Sequence, residues 1–206
     1  MDNLEIRAFD FEVRAKHDEE RGKNILEGRP IVYDSQTDLG WYDEIIERGA
    51  LTDTDLRDVR FLVNHNTDMI PLARSRNNNE NSTMQMVVDD DGLRIRVDLD
   101  TENNAEAKNL YSAVSRGDID GMSFMFKVDG DKWDDQESDH PTRTITAISK
   151  VFEVSAVTFP AYEQTSIQAR GLDEALESAK SSLESARAEA RAIERKKQLI
   201  KFLAEV

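Results

Sequence analysis

A chain of 206 residues with 38% hydrophobic content can bury one sizeable core, so the expectation is a single domain with appendages. The absence of cysteine excludes a thiol nucleophile, a disulfide framework and the usual structural zinc sites, and no metal or other cofactor is expected. Of the formal charge of −15, none comes from residues 172–206, where seven acidic side chains meet seven basic ones; the acidic excess in residues 1–171 repels phosphate backbones and argues against a nucleic-acid partner.

Neither an apolar run of about 18 residues nor a basic start leading into an apolar stretch is present, so a soluble chain without a membrane partner is expected. Leu4 to Val13 alternates apolar and polar residues with a register switch near Phe9, as a bulged strand would. Short strands are predicted over Ile31–Tyr33 and Val59–Val63, with His65 just past the end of the second. Met84, Met86 and Val88 alternate, Asp90-Asp91-Gly92 supplies turn chemistry, and Leu93, Ile95, Val97 and Leu99 alternate again, which predicts a hairpin. Ala107, Leu110, Tyr111 and Val114 follow helical spacing, and Gly117 stands where a left-handed cap belongs.

From Gly121 to Val128, Met122, Phe124, Phe126 and Val128 fall on one strand face, leaving Ser123, Met125 and Lys127 on the other. Asp129 to Pro141 reads as an acidic surface loop. Thr144 to Phe159 reads as a long strand ended by Pro160, with Val151, Glu153, Ser155 and Val157 sharing a face. Beyond Gly171, Leu172, Ala179, Ala186, Ile193 and Ile200 recur every seven residues with Leu176, Leu183, Ala190 and Lys197 interleaved. That is a long helix with one apolar stripe, expected to be independent of the body's fold and to serve as a docking or self-processed segment.

Three residues offer chemistry: His65, Ser123 and Glu153. His17 and His140 sit in polar surroundings and read as surface residues, and no spacing links the three histidines into a metal site. Taken alone, His65 reads first as a structural histidine at a strand end, and Ser123 as a strand serine bonded to backbone; it lacks the elbow of the α/β-hydrolases. Glu153 interrupts a segment otherwise fit for burial, so it must be paired, and residue content alone points to Lys150 or Arg143 as its partner.

Several linked segments change that weighting: Arg48-Gly49-Ala50, Asn64-His65-Asn66, Gly92-Leu93, Arg116-Gly117-Asp118-Ile119 leading into Gly121-Met122-Ser123-Phe124, and Glu153-Val154-Ser155 leading into Pro160-Ala161-Tyr162. From about Leu4 to Tyr162 the chain resembles the prohead maturation proteases of tailed bacteriophages, which are related to the herpesvirus capsid assembly proteases. The resemblance implies Ser123 as nucleophile, His65 as general base and Glu153 as the residue that orients it. It departs from the family pattern at Ala73 and at Met125, where glycine is usual, and it leaves backbone amides near Arg74 as the candidate oxyanion donors.

The expected fold is α+β: a partly closed, largely antiparallel β-barrel with surrounding helices in residues 1–170, herpesvirus-protease-like, followed by a helical tail over 171–206. The resemblance implies a serine endopeptidase working inside the procapsid in the host cytoplasm. It would cut scaffold-like segments from the major capsid protein, and itself, with a homo-oligomer left open. The competing reading is a non-catalytic scaffold or assembly protein acting through its acidic body and helical tail.

Overall fold

The computed structural model describes residues 4–9, 13–158 and 166–204. In chain order the elements are β1 (Leu4–Phe9), β2 (Val13–Asp18), β3 (Lys23–Val32), β4 (Thr37–Asp38), β5 (Asp43–Ile46), β6 (Arg60–Val63), β7 (Ala73–Arg74), β8 (Met84–Asp89), β9 (Gly92–Leu99), α1 (Ala105–Arg116), β10 (Gly121–Asp134), β11 (Thr142–Val157) and α2 (Ser166–Ala204). The larger sheet runs β1-β10-β11-β5-β4, with β6 also on β11 and β7 on β6; the smaller runs β2-β3-β9-β8. The fold is α+β, mostly sheet with two helices, and no closed barrel forms among the described residues.

The stretch expected to be one bulged strand is two strands in different sheets. β1 pairs antiparallel with β10, and β2 with β3, so the switch in apolar register marks a crossing between sheets. The inner faces share a core: Leu26, Ile31, Ile95 and Val97 of the small sheet join Phe124, Phe126, Val151 and Val154 of the large one, with Ala107, Leu110 and Val114 of α1.

The predicted hairpin forms as β8 and β9, with Asp89 opposite Gly92 and Leu93, Ile95, Val97 and Leu99 all buried. Gly92 is needed for two reasons. Its φ is +131°, and a Cβ there would lie 2.1 Å from the Ile31 carbonyl oxygen of β3. Gly92→Ala should therefore cost about 3 kcal/mol or more, combining left-handed strain with a backbone clash. Urea unfolding reads this directly; a loss under about 1 kcal/mol, typical of an ordinary surface change, would contradict it.

Helix α1 begins and ends as its sequence suggests. The Asn104 side chain accepts from the Glu106 and Ala107 amides, and Gly117 (φ 76°) closes the far end, its N–H donating to the Ala113 and Val114 carbonyls. The chain then enters β10, whose Met122, Phe124, Phe126 and Val128 are buried as expected.

Three expectations fail here for physical reasons. The predicted acidic loop over 129–141 is strand up to Asp134, because Trp133 is buried and stacks on Trp41 (centroids 5.8 Å apart) while Asp131 accepts a 2.6 Å bond from Arg143. Second, Val151 does not share a face with Glu153. Met125 opposes Glu153 but Phe126 opposes Val151, so Phe152 is an extra residue that turns Val151 to the core. The predicted strand end at Pro160 lies outside the described residues.

Third, the helical tail is not free of the body. Helix α2 starts at Ser166; its Ala175 is buried, and its buried Ala179 and Leu183 pack with Tyr42 and Trp133. Ser182 accepts from the Trp133 indole (3.0 Å) and donates to Asp131 (2.9 Å), Ser178 donates to Glu5 (3.1 Å), and Arg187 donates to the Gln136 carbonyl (2.8 Å). Half of the stripe expected to await a partner is thus used internally, and a cut at Gly171 would remove part of the packed structure. Beyond that point Ile193, Leu199, Ile200 and Leu203 are exposed. The Leu172 side chain, which begins the predicted stripe, lies outside the described residues.

Candidate active site

β11 carries neighbours on both flanks at the level of the site. β10 runs antiparallel on one side, placing Ser123 opposite Ser155, and β6 runs parallel on the other, placing Leu62 opposite Ser155. His65 follows β6 by two residues. Asn64 and His65 both have positive φ, 51° and 55°, so the chain turns sharply as it leaves the strand. Asn64 is pinned to β11 and the residue after it: its N–H donates to the Ala156 carbonyl (3.0 Å), and its side chain exchanges bonds with Thr158 (2.9 and 3.1 Å).

The turn brings the imidazole onto Glu153. His65 Nδ1 and Glu153 Oε1 form a short hydrogen bond in which both side chains are buried, at 2% and 4% exposure. The partners that composition suggested for Glu153 are engaged elsewhere: Lys150 with Asp55, and Arg143 with Glu5, Glu44 and Asp131. With a carboxylate on Nδ1, the neutral ring carries its proton there and presents a lone pair at Nε2. That Nε2 is buried without a hydrogen-bond partner among the described residues. Leaving a buried polar atom unpaired costs about 1–3 kcal/mol, which a purely structural histidine has no reason to bear.

Ser123 is fully buried on the strand beside this pair, and its hydroxyl donates to the Arg7 carbonyl of β1 at 2.7 Å rather than to His65. The structure therefore joins His65 to Glu153 and sets Ser123 on the neighbouring strand, but does not close the serine–histidine bond. Of the backbone amides near Arg74 offered as oxyanion donors, that of Arg74 donates to Thr83 Oγ1 (2.9 Å), that of Ser75 to the Val59 carbonyl (2.9 Å) and that of Leu72 to the Phe61 carbonyl (3.0 Å), while the Arg74 side chain is held by Asp58.

Two features escaped the sequence reading. Ser155 touches both His65 and Glu153. A buried ion network also lies beneath α2, where Arg7 and Arg143 are shared among Glu5, Glu44 and Asp131. Burial alone would push the Glu5 carboxyl up, but Arg7, Arg143 and the hydrogen bonds from Arg143 and Ser178 together hold it below the usual carboxylate range. Burial pushes the Tyr42 phenol of the same cluster up to about 12, so it stays protonated. Of the remaining histidines, His17 is exposed and bonds Asn24 (2.8 Å). His140 is also exposed but lies beside Asp43 (3.3 Å) and Asp38, a grouping common without any metal.

A strand serine, an imidazole with a free lone pair and a carboxylate behind it make up the equipment of nucleophilic acyl transfer. The chain belongs to the Caudovirus prohead serine protease family, whose profile matches residues 9–178. The prohead protease of Enterobacteria phage HK97 is 30% identical to it over 151 residues, 71% of this chain; the chain spans 60% of the length of that relative. Among solved structures, the bacteriophage T4 capsid assembly protease gp21 is similar with a TM-score of 0.43 and 12% identity, over 75% of this chain and 96% of that one. No helix among the described residues is long and apolar enough to cross a membrane.

Proposed function

We propose that the chain is a serine endopeptidase of procapsid maturation, with Ser123 as nucleophile, His65 as general base and Glu153 as the group that orients and stabilises the imidazole. The observation that carries the reading is the buried His65–Glu153 pair with its unpartnered Nε2, one strand away from Ser123, in a chain of this family. In this reading the Ser123 hydroxyl leaves the Arg7 carbonyl and bonds to Nε2 when substrate is engaged. His65 then takes the proton as Oγ attacks the scissile carbonyl and returns it to the leaving amine, while Glu153 balances the imidazolium charge. Catalytic hydrogen bonds that are open in a free enzyme commonly close only with substrate in place.

The substrates in this reading are scaffold-like segments of the major capsid protein, and the chain itself, inside the assembling shell. Because Ser123 is fully buried, a substrate strand needs the site to open first. The packed first half of α2 belongs with the protease body, and the exposed stripe from Ile193 to Leu203 is left for docking. The kinship with herpesvirus proteases, and with their barrel, rests on the sequence motifs. A scaffold role alone gives no use to a buried imidazole–carboxylate pair.

Mass spectrometry of the purified protein incubated alone and with its capsid subunit tests the proposal by the new termini it reveals. Glu153→Gln should fold and lose most of this cleavage, by about 10⁴ if it follows the triad precedent, since an amide supports the ring but not the imidazolium. Cleavage by Glu153→Gln at the parent rate would reduce Glu153 to a structural carboxylate.

A further inference from the structure

We infer that Ser155 is a positioning residue of the site, fastening the orienting carboxylate and the histidine turn to each other. The inference rests on the triad proposed above. Ser155 is fully buried, and its single hydroxyl makes two bonds: it donates to Glu153 Oε2 at 2.6 Å and accepts from the His65 backbone N–H at 3.1 Å. A serine has one proton to give, and here it is committed to the carboxylate. Ser155 is therefore no rival to Ser123 as nucleophile.

Each bond answers a specific need. The terminal torsion of a glutamate is soft, so one hydrogen bond to His65 would leave the carboxylate plane free to rotate. The Ser155 bond to the second oxygen fixes that plane and keeps Oε1 aimed at Nδ1. On the other side, two consecutive non-glycine residues in the left-handed region each cost roughly 1–3 kcal/mol and persist only where their surroundings over-determine them. Asn64 is held by Ala156 and Thr158, whereas the His65 N–H is held by the Ser155 hydroxyl. Ser155 thus converts the position of β11 into the position of the imidazole, in the cross-strand row that contains Ser123.

The test compares Ser155→Ala, Ser155→Thr and Ser155→Cys with the parent in peptide cleavage, and reads the His65 Nδ1–H proton by NMR in a non-cleaving Ser123→Ala background. Loss of alignment at this scale should lower kcat on the order of 10²-fold with KM little changed. Threonine, which keeps the hydroxyl, should restore most of the rate. Cysteine, of similar volume but a weak donor, should behave like alanine and serves if threonine does not fit. The downfield imidazole proton of the His65–Glu153 bond should move upfield when Ser155→Ala is added. A parent-like rate in Ser155→Ala or Ser155→Cys, or an unmoved proton resonance, overturns the inference. Labelling of the parent by a fluorophosphonate separates it from the triad reading: if Ser123 is not the residue labelled, the nucleophile assignment fails, while the NMR arm still decides whether Ser155 holds the pair.

Discussion

Ser123→Ala is expected to abolish peptide cleavage and leave the fold in place. Removing the nucleophile of a triad costs on the order of 10⁴-fold or more in rate, equivalent to roughly 5 kcal/mol or more of transition-state stabilisation. The structural cost is much smaller. The variant gives up one hydroxyl bond, from Ser123 to the Arg7 carbonyl, and such a bond contributes about 1 kcal/mol net. Activity and stability should therefore separate cleanly. Cleavage of the capsid subunit by the purified variant would remove Ser123 from the mechanism, and unfolding of the variant would show that the serine is there for the Arg7 contact.

Arg143→Met should be the most damaging single change to stability. Arg143 is 1% exposed and donates to Glu5 (2.9 and 3.0 Å), Glu44 (3.2 Å) and Asp131 (2.6 Å). Methionine fills similar space but leaves two buried glutamates to share Arg7, and breaking a buried pair in this way costs about 3–5 kcal/mol. Against a total stability of about 5–15 kcal/mol, that is enough to unfold a marginal protein. The pH dependence gives a second readout. The Glu5 carboxyl is depressed in the folded state, so its stabilisation is present above the unfolded carboxylate range and is lost as pH falls through the folded value. The gap between parent and variant should therefore be widest near neutrality and narrow in acid. Equal melting curves at neutral pH would mean that the network contributes little.

What could be read from the sequence was local. The β8–β9 hairpin and α1 announce themselves because alternation, turn residues and caps all lie within a few residues of one another. The placement of His65 past a buried strand was legible for the same reason, and so was the oddness of Glu153 in an apolar run. Long-range pairing was hidden. Nothing near Leu4–Val13 says that its two halves join different sheets, and the partners of Arg143 lie up to 138 positions away. Trp133 reads as part of a loop in sequence because the aromatic stack that buries it is supplied by Trp41, Tyr42 and α2. Residue content alone points Glu153 to Lys150 or Arg143, because nothing in the local sequence says that the parallel strand β6 runs beside β11 and delivers His65 to it. Ser155 was invisible as a functional residue because a serine in a strand is ordinary until both ends of its hydrogen bonding are seen.

The shared guanidinium cluster under α2 also shapes how this chain can drift. Two arginines serve three carboxylates drawn from β1, β5 and β10, so no member can change charge alone without stranding another in the interior. Descendants that lose one arginine should be those that have also lost a glutamate, and the five positions should turn over as a set. Helix α2 touches that set through Ser178 and Ser182, so its docking seam is tied to the same bargain, while its far end, from Ile193 onward, is free to vary one residue at a time.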